Sequence, residues 1–134
     1  MDKSNLIQRA LEARENAYAP YSGYKVGAAL LDDKEQVWTG CNVENVSYGA
    51  CVCAERVAIG NMVVAGTRQA QAIAIVTADG GTPCGICRQS LLEFANDPAT
   101  FRVIVARPSG VSKEFTLNEL IPNGFTSEEV GRTE

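Results

Sequence analysis

Histidine is absent from all 134 residues. Ser-His-Asp and Cys-His catalysis, imidazole-ligated metals and the commonest proton shuttle are therefore excluded. Acid–base work must fall to carboxylates, thiols, Tyr, Lys or metal-bound water. No apolar run approaches the roughly eighteen residues of a membrane span, so no membrane partner is expected. The start, Met1-Asp-Lys-Ser-Asn5, lacks the apolar core of a signal peptide, which points to a cytoplasmic protein. A basic stripe is missing too. Twelve Lys and Arg stand against sixteen Asp and Glu, a net charge of −4, whereas nucleic-acid binding draws its affinity from cations on phosphates. No nucleic-acid partner is expected. Repeats, low-complexity segments and linkers are also lacking, and the chain reads as one domain over residues 1–134.

Apolar residues make up 46% and charged residues 21%, the balance of an ordinary globular chain with a real core. Five cysteines are an odd number, and two form a C-x-x-C, which suits metal or redox chemistry better than a disulfide framework. Residues 4–18 carry apolar side chains at helical spacing, with Ser4 as N-cap and Pro20 as the stop. Residues 24–31 and 36–41 read as a hairpin. A largely apolar helix spans 52–65 and closes at Gly66. The run Ala72-Ile-Ala-Ile-Val76 marks a strand covered on both faces. A second helix after Pro83 buries Leu91, Leu92 and Phe94, followed by strands at 101–106 and 114–116 and a helical turn at 117–121. This order predicts an α/β fold, a three-layer α-β-α sandwich around a five-stranded mixed sheet.

Two stretches carry the chemistry. Cys53 and the pair Cys84 and Cys87 each lie where loop gives way to helix, where free N–H groups favour thiolate over thiol. Two such helix starts facing each other would hold three thiolates around one zinc ion, leaving a fourth place open as in catalytic sites. Glu55, two residues beyond Cys53, approaches that open place from the side. Arg56 and Arg88 would balance the excess negative charge and hydrogen-bond the sulfurs. Two blander readings stay open: a redox dithiol at Cys84 and Cys87, or a closed structural zinc with Cys51 as fourth ligand. Cys41 reads as a small buried apolar residue.

Cys53-Ala-Glu55 followed by Pro83-Cys-Gly-Ile-Cys87 matches the zinc deaminase signature in its all-cysteine form. The surrounding Gly40-Cys-Asn-Val-Glu44-Asn-Val-Ser-Tyr48-Gly, Tyr21-Ser-Gly-Tyr24-Lys-Val-Gly-Ala-Ala29, Arg88-Gln89 and Ile121-Pro-Asn-Gly-Phe125 resemble the small homotetrameric cytidine deaminases. The match runs from about Tyr18 to Phe125. The resemblance implies one zinc per subunit on Cys53, Cys84 and Cys87. It makes Glu55 the proton shuttle that protonates N3 and assists departure of ammonia after attack at C4. The backbone around Ala54 would meet the base edge, and Asn42, Val43 and Glu44 would form the sugar clamp. Tyr48 and Phe125 would reach a neighbouring subunit's pocket in a homotetramer with shared sites.

The implied substrates are cytidine and 2′-deoxycytidine, in pyrimidine salvage. Tyr24 stands where this family usually stacks a phenylalanine on the base, and the loop before Pro83 is shorter than is usual. Glu44 suits a neutral sugar hydroxyl and would repel phosphate, and no glycine-rich phosphate cradle accompanies it, so nucleosides are favoured over nucleotides. The rivals are a deaminase of another cytosine nucleoside such as blasticidin S, and a non-catalytic zinc-stabilised module.

Overall fold

The computed structural model describes residues 1–131; residues 132–134, the end of the single domain expected over 1–134, lie outside them. Strands β1 (Gly27–Asp32) and β2 (Val37–Cys41) form the expected hairpin, and β1 pairs on its other side with β3 (Ala70–Val76). β3 runs parallel to β4 (Arg102–Ala106), and β5 (Ser112–Thr116) closes the edge antiparallel. The order is β2-β1-β3-β4-β5, one mixed five-stranded sheet among the described residues.

Helix α1 (Lys3–Arg14) covers one face, burying Leu6 and Ala10 against Ala29, Ala72, Ala74 and Ile104. Helices α2 (Ala54–Val64), α3 (Gly85–Phe94) and the short α4 (Leu117–Leu120) cover the other. Their core joins Met62 and Leu91 to Leu30, Ile73, Ile75, Val103 and Phe101. These are the three layers expected. Leu92 and Phe94 are only partly buried, packed against the rim of that core. Cys41 is likewise half-buried at the end of an edge strand rather than enclosed.

Two glycines set how closely the helices approach. A Cβ on Gly27 would fall onto the Ala10 carbonyl and 2.6 Å from the Arg14 amide, and one on Gly40 would stand 2.5 Å from the Ala58 amide. α1 and α2 therefore rest directly on the strand backbone. Local ends differ from the sequence pattern at α1. Asp2, not Ser4, is the N-cap, its carboxylate accepting from the Asn5 amide at 3.1 Å. The helix also stops at Arg14, well before Pro20. The Arg14 guanidinium donates to the Lys25 carbonyl at 2.9 Å, which ties the helix end to the segment entering β1.

Asp32 organises the β1–β2 turn from a fully buried position. One carboxylate oxygen accepts from the amides of Lys34 (2.8 Å) and Gln36 (2.9 Å), the other from the Trp38 indole (2.9 Å). Burial raises its pKa, but these hydrogen bonds outweigh burial and hold it below the ordinary value. Its stabilisation is therefore fully present above the unfolded carboxyl value of about 3.9 and fades as pH falls through the lower folded value. Asp32→Asn keeps an acceptor for the two amides but sets an NH₂ against the indole N–H. We predict a loss of about 2 kcal/mol in urea unfolding at pH 7. The loss should shrink below about pH 4 as the wild type itself protonates. Trp38→Phe should cost less in the variant than in wild type; additive costs would mean that the pair does not interact.

Candidate active site

The register decides where the site lies. Gly27 pairs with Cys41 on one side and Val76 on the other, so the start of β1 and the ends of β2 and β3 share one edge of the sheet. The loops before β1, before α2 and before α3 all root there. They enclose a cavity of about 290 Å³, at the small end of the range for small-molecule sites.

The two helix starts meet at this cavity. Cys53 is the N-cap of α2 and Cys84 the N-cap of α3, and neither side chain caps its helix. Cys87 lies in the first turn of α3 and is completely buried. The three sulfurs lie within 4.8 Å of one another. The proton affinities of Cys53 and Cys87 are driven apart. A hydrogen bond from Cys87 is the main influence lowering the Cys53 pKa to about 5; burial opposes it, and Arg56 and Cys84 assist. Cys87 is pushed upward by that same hydrogen bond to Cys53, then by burial and the nearby Glu55 charge. Cys53 is a thiolate at neutral pH, with the Cys87 thiol beside it, whose proton a soft divalent cation would displace.

Arg56 follows the N-cap by three residues, so it lies on the same side of the helix as Cys53. Burial lowers its pKa, but hydrogen bonds to Cys53 and Cys87 raise it further than that. One terminal nitrogen donates to the Cys51 carbonyl at 3.3 Å, and Nε is buried without a hydrogen-bond partner among the described residues. A permanent cation beside three clustered sulfurs fits a tris-thiolate holding a divalent, thiophilic ion such as zinc.

Arg88 behaves differently. Its guanidinium donates to the Pro83 carbonyl (2.7 Å), the Leu120 carbonyl (2.8 Å) and the Thr82 hydroxyl (2.9 Å). It clamps the loop that presents Cys84, instead of donating to sulfur as expected from its place next to Cys87. Adjacent helical residues do not share a face.

Glu55, in the first turn of α2, is 4% exposed and lines the cavity. Burial raises its pKa to about 7, with the Cys53 charge adding to the rise, while Cys87 and Arg56 pull the other way. A carboxyl poised there can both accept and release a proton near neutral pH. Ala54, fully buried, shares the cavity wall.

Also at the cavity, the Asn42 side chain accepts from the Val26 amide (2.9 Å) and donates to the Tyr24 carbonyl (2.8 Å). One Glu44 oxygen accepts from the amides of Tyr21 (2.9 Å) and Ser22 (3.1 Å), the other from the Ser22 hydroxyl. The Ser22 side chain leads the causes that hold Glu44 below its ordinary pKa. Asn42, Glu44 and Tyr24 all line the cavity, whereas Val43, Tyr48 and Phe125 do not. Val43 pairs through its backbone with Tyr18 and Val52 and leaves its side chain exposed. Tyr48 meets Tyr21 edge-on at 6.1 Å and is 74% exposed, and Phe125 is 60% exposed.

Cys51 reaches the cavity wall, but its sulfur accepts from the Asn45 amide at 3.3 Å and donates to the Asn45 carbonyl at 3.7 Å, outside the cluster of three. Sequence reasoning missed Val26, Thr77 and Thr82 as cavity residues. It also missed Asp79, which accepts from the Tyr24 hydroxyl at 2.7 Å. Polar residues in a Gly-Gly loop were a signal of a functional loop, without saying which wall they face.

Residues 1–103 match the family model described as the cytidine and deoxycytidylate deaminase zinc-binding region. A cytidine deaminase of Halalkalibacterium halodurans is 44% identical over 132 residues, covering 97% of this chain and 98% of the relative. One from Sporosarcina psychrophila is 40% identical, covering 97% and 96%. The crystal structure of cytidine deaminase from Burkholderia pseudomallei superposes with a TM-score of 0.87 at 44% identity, over 93% of this chain and all of that one. Sequence and fold agree across nearly the full length, and the three-thiol cluster falls inside the matched region: the chain belongs to the cytidine and deoxycytidylate deaminase family with its zinc-binding region.

Proposed function

We propose that the protein hydrolytically deaminates cytidine and 2′-deoxycytidine to their uridine counterparts and releases ammonia. The observation that carries this reading is Glu55, buried at the cavity beside three clustered thiols. Held by Cys53, Cys84 and Cys87, zinc would supply the Lewis acidity that makes water a nucleophile at neutral pH. Glu55 takes one proton from that water and gives it to N3 as oxygen adds to C4. It then carries the second proton to the exocyclic amine, so that the C4–N bond breaks and ammonia leaves. The carboxylate is regenerated. Arg56 holds the sulfurs' excess charge, and Arg88 secures the loop that carries Cys84. Backbone groups around Ala54 meet the base edge.

Tyr24 gives a ring face to the base. Asn42 and Glu44, pinned by the segment from Tyr21 to Val26, hold the ribose, with Val43 placing them through its backbone. Glu44 and Glu55 line the cavity, Asp79 stands behind Tyr24, and no Lys or Arg lines it among the described residues. That balance favours a neutral sugar over a 5′-phosphate. Tyr48 and Phe125 reach a neighbour's pocket in a homotetramer; their exposure away from this chain's own cavity supports that assignment. Five free thiols suit a reducing cytoplasm, where the reaction serves pyrimidine salvage.

The test is an ultraviolet assay against cytidine, deoxycytidine, cytosine, CMP and blasticidin S, with zinc and sedimentation measured on one sample. Turnover of the two nucleosides, about one zinc per chain and a tetramer are expected. Preference for blasticidin S would replace the substrate. Zinc without ammonia from any of them would leave a zinc-stabilised module.

A further inference from the structure

Tyr24 precedes β1 and is 41% exposed, so its ring is open on one side rather than wedged into the core. Its hydroxyl nevertheless has one fixed direction. It donates to Asp79 Oδ1 at 2.7 Å across 55 residues of chain, joining the segment before β1 to the loop after β3. That acceptor is itself immobilised. Asp79 Oδ1 also accepts from the Thr77 hydroxyl (3.0 Å) and the Gly81 amide (3.1 Å). The Thr77 oxygen in turn accepts from the amides of Gly80 (2.8 Å) and Gly81 (3.1 Å), and Arg107 donates to the Asp79 carbonyl at 3.2 Å.

Gly81 leaves just the room required: a Cβ there would stand 3.3 Å from Asp79 Oδ1 and 3.5 Å from the Tyr24 hydroxyl. The Tyr24 backbone is pinned as well, its amide donating to the Ser22 hydroxyl (3.0 Å) and its carbonyl accepting from Asn42. Led by the Tyr24 hydroxyl, these donors keep the Asp79 carboxyl below its ordinary pKa, so the acceptor stays ionised at neutral pH.

We infer that Asp79 is a positioning residue for the base-binding step: it latches the Tyr24 hydroxyl and holds that ring ready at the cavity wall before substrate arrives. The inference rests on the proposed deaminase reading. A ring fixed in advance loses little freedom on binding, whereas an untethered one must be immobilised by the substrate. A phenylalanine here would offer the same face without the tether. The latch therefore acts on affinity, not on proton transfer, and it uses the hydroxyl that would otherwise be free to reach the sugar.

The test measures kcat and KM for cytidine in wild type, Tyr24→Phe, Asp79→Ala, the double variant and Asp79→Asn, with uridine affinity by calorimetry. Both single variants should raise KM about three- to tenfold, with kcat within twofold of wild type. The double variant should be no worse than Asp79→Ala, which already removes the Tyr24 bond. Asp79→Asn, whose amide oxygen can accept the phenol hydrogen, should fall between wild type and Asp79→Ala. Uridine affinity should weaken in parallel, with zinc content and melting temperature unmoved. Unchanged KM in both single variants overturns the latch, and so do effects that multiply, which would mean that Asp79 acts independently of Tyr24. A fall in kcat or melting temperature in place of the rise in KM makes the pair structural. A wild type that neither deaminates cytidine nor binds uridine overturns the deaminase reading and the latch's role with it; active wild type with unmoved variants overturns the latch alone.

Discussion

Glu55→Gln is expected to lower kcat on cytidine by about 10³-fold or more while leaving one zinc per chain and an unchanged fold. The substitution preserves shape at a 4% exposed position and removes only the capacity to accept and return a proton. Nothing nearby can replace it. There is no histidine in the chain. Asp79 is occupied by three donors, and the Glu44 oxygens accept from Tyr21 and Ser22. In the proposed reaction the same carboxyl serves two transfers, one to N3 and one to the departing amine, so its loss would stall both.

Stability should move the other way. Burial raises the Glu55 pKa to about 7, so the favourable neutral form is present at low pH and lost as pH rises through that value. A neutral glutamine avoids this loss, and the metal-free variant should melt no lower than metal-free wild type at pH 8. Single-turnover rates, zinc analysis and thermal melts on one preparation check both halves. Turnover within tenfold of wild type would remove Glu55 from the mechanism, and loss of zinc would make it a structural residue.

The elements around this residue were legible because local rules and tertiary packing agree there. The run over residues 72–76 reads as a doubly covered strand, and β3 is the middle of the sheet. Gly66 closes α2 with φ of +98°, a conformation that favours glycine. Cys53 and Cys84 read as helix starts from their own neighbourhoods. What stayed hidden depends on register or rotation about a helix. Asp79 meets Tyr24 only because β1 and β3 pair so that their adjoining loops share one edge. Arg88 sits beside Cys87 in sequence yet turns towards Leu120 and Thr82. The α1 start differs from the sequence pattern because Asp2, just upstream of Ser4, already supplies the cap.

Cys87→Ala is expected to strip zinc to near zero and abolish turnover. Cys87 is the fully buried member of the three-sulfur cluster. Changes to groups that merely orient metal ligands cost about 10- to 100-fold in affinity. Losing a ligand outright should cost at least about 10³-fold. Replacement ligands are scarce. Cys51 is hydrogen-bonded to Asn45, outside the three-sulfur cluster, and Glu55 would have to abandon its proposed proton-carrying role to bind metal.

Because zinc binds the folded chain and not the unfolded one, its loss also removes stability. For a site filled at a thousand times its dissociation constant, that contribution is about 4 kcal/mol. Wild type treated with a chelator should therefore melt within a few degrees of Cys87→Ala, and added zinc should raise only the wild type. Cys51→Ala is the matched control and should keep one zinc per chain. Full zinc in Cys87→Ala would move the metal away from this cluster. Loss of zinc in Cys51→Ala would restore the closed four-thiol site, leaving no open position for water and no catalytic centre at Glu55.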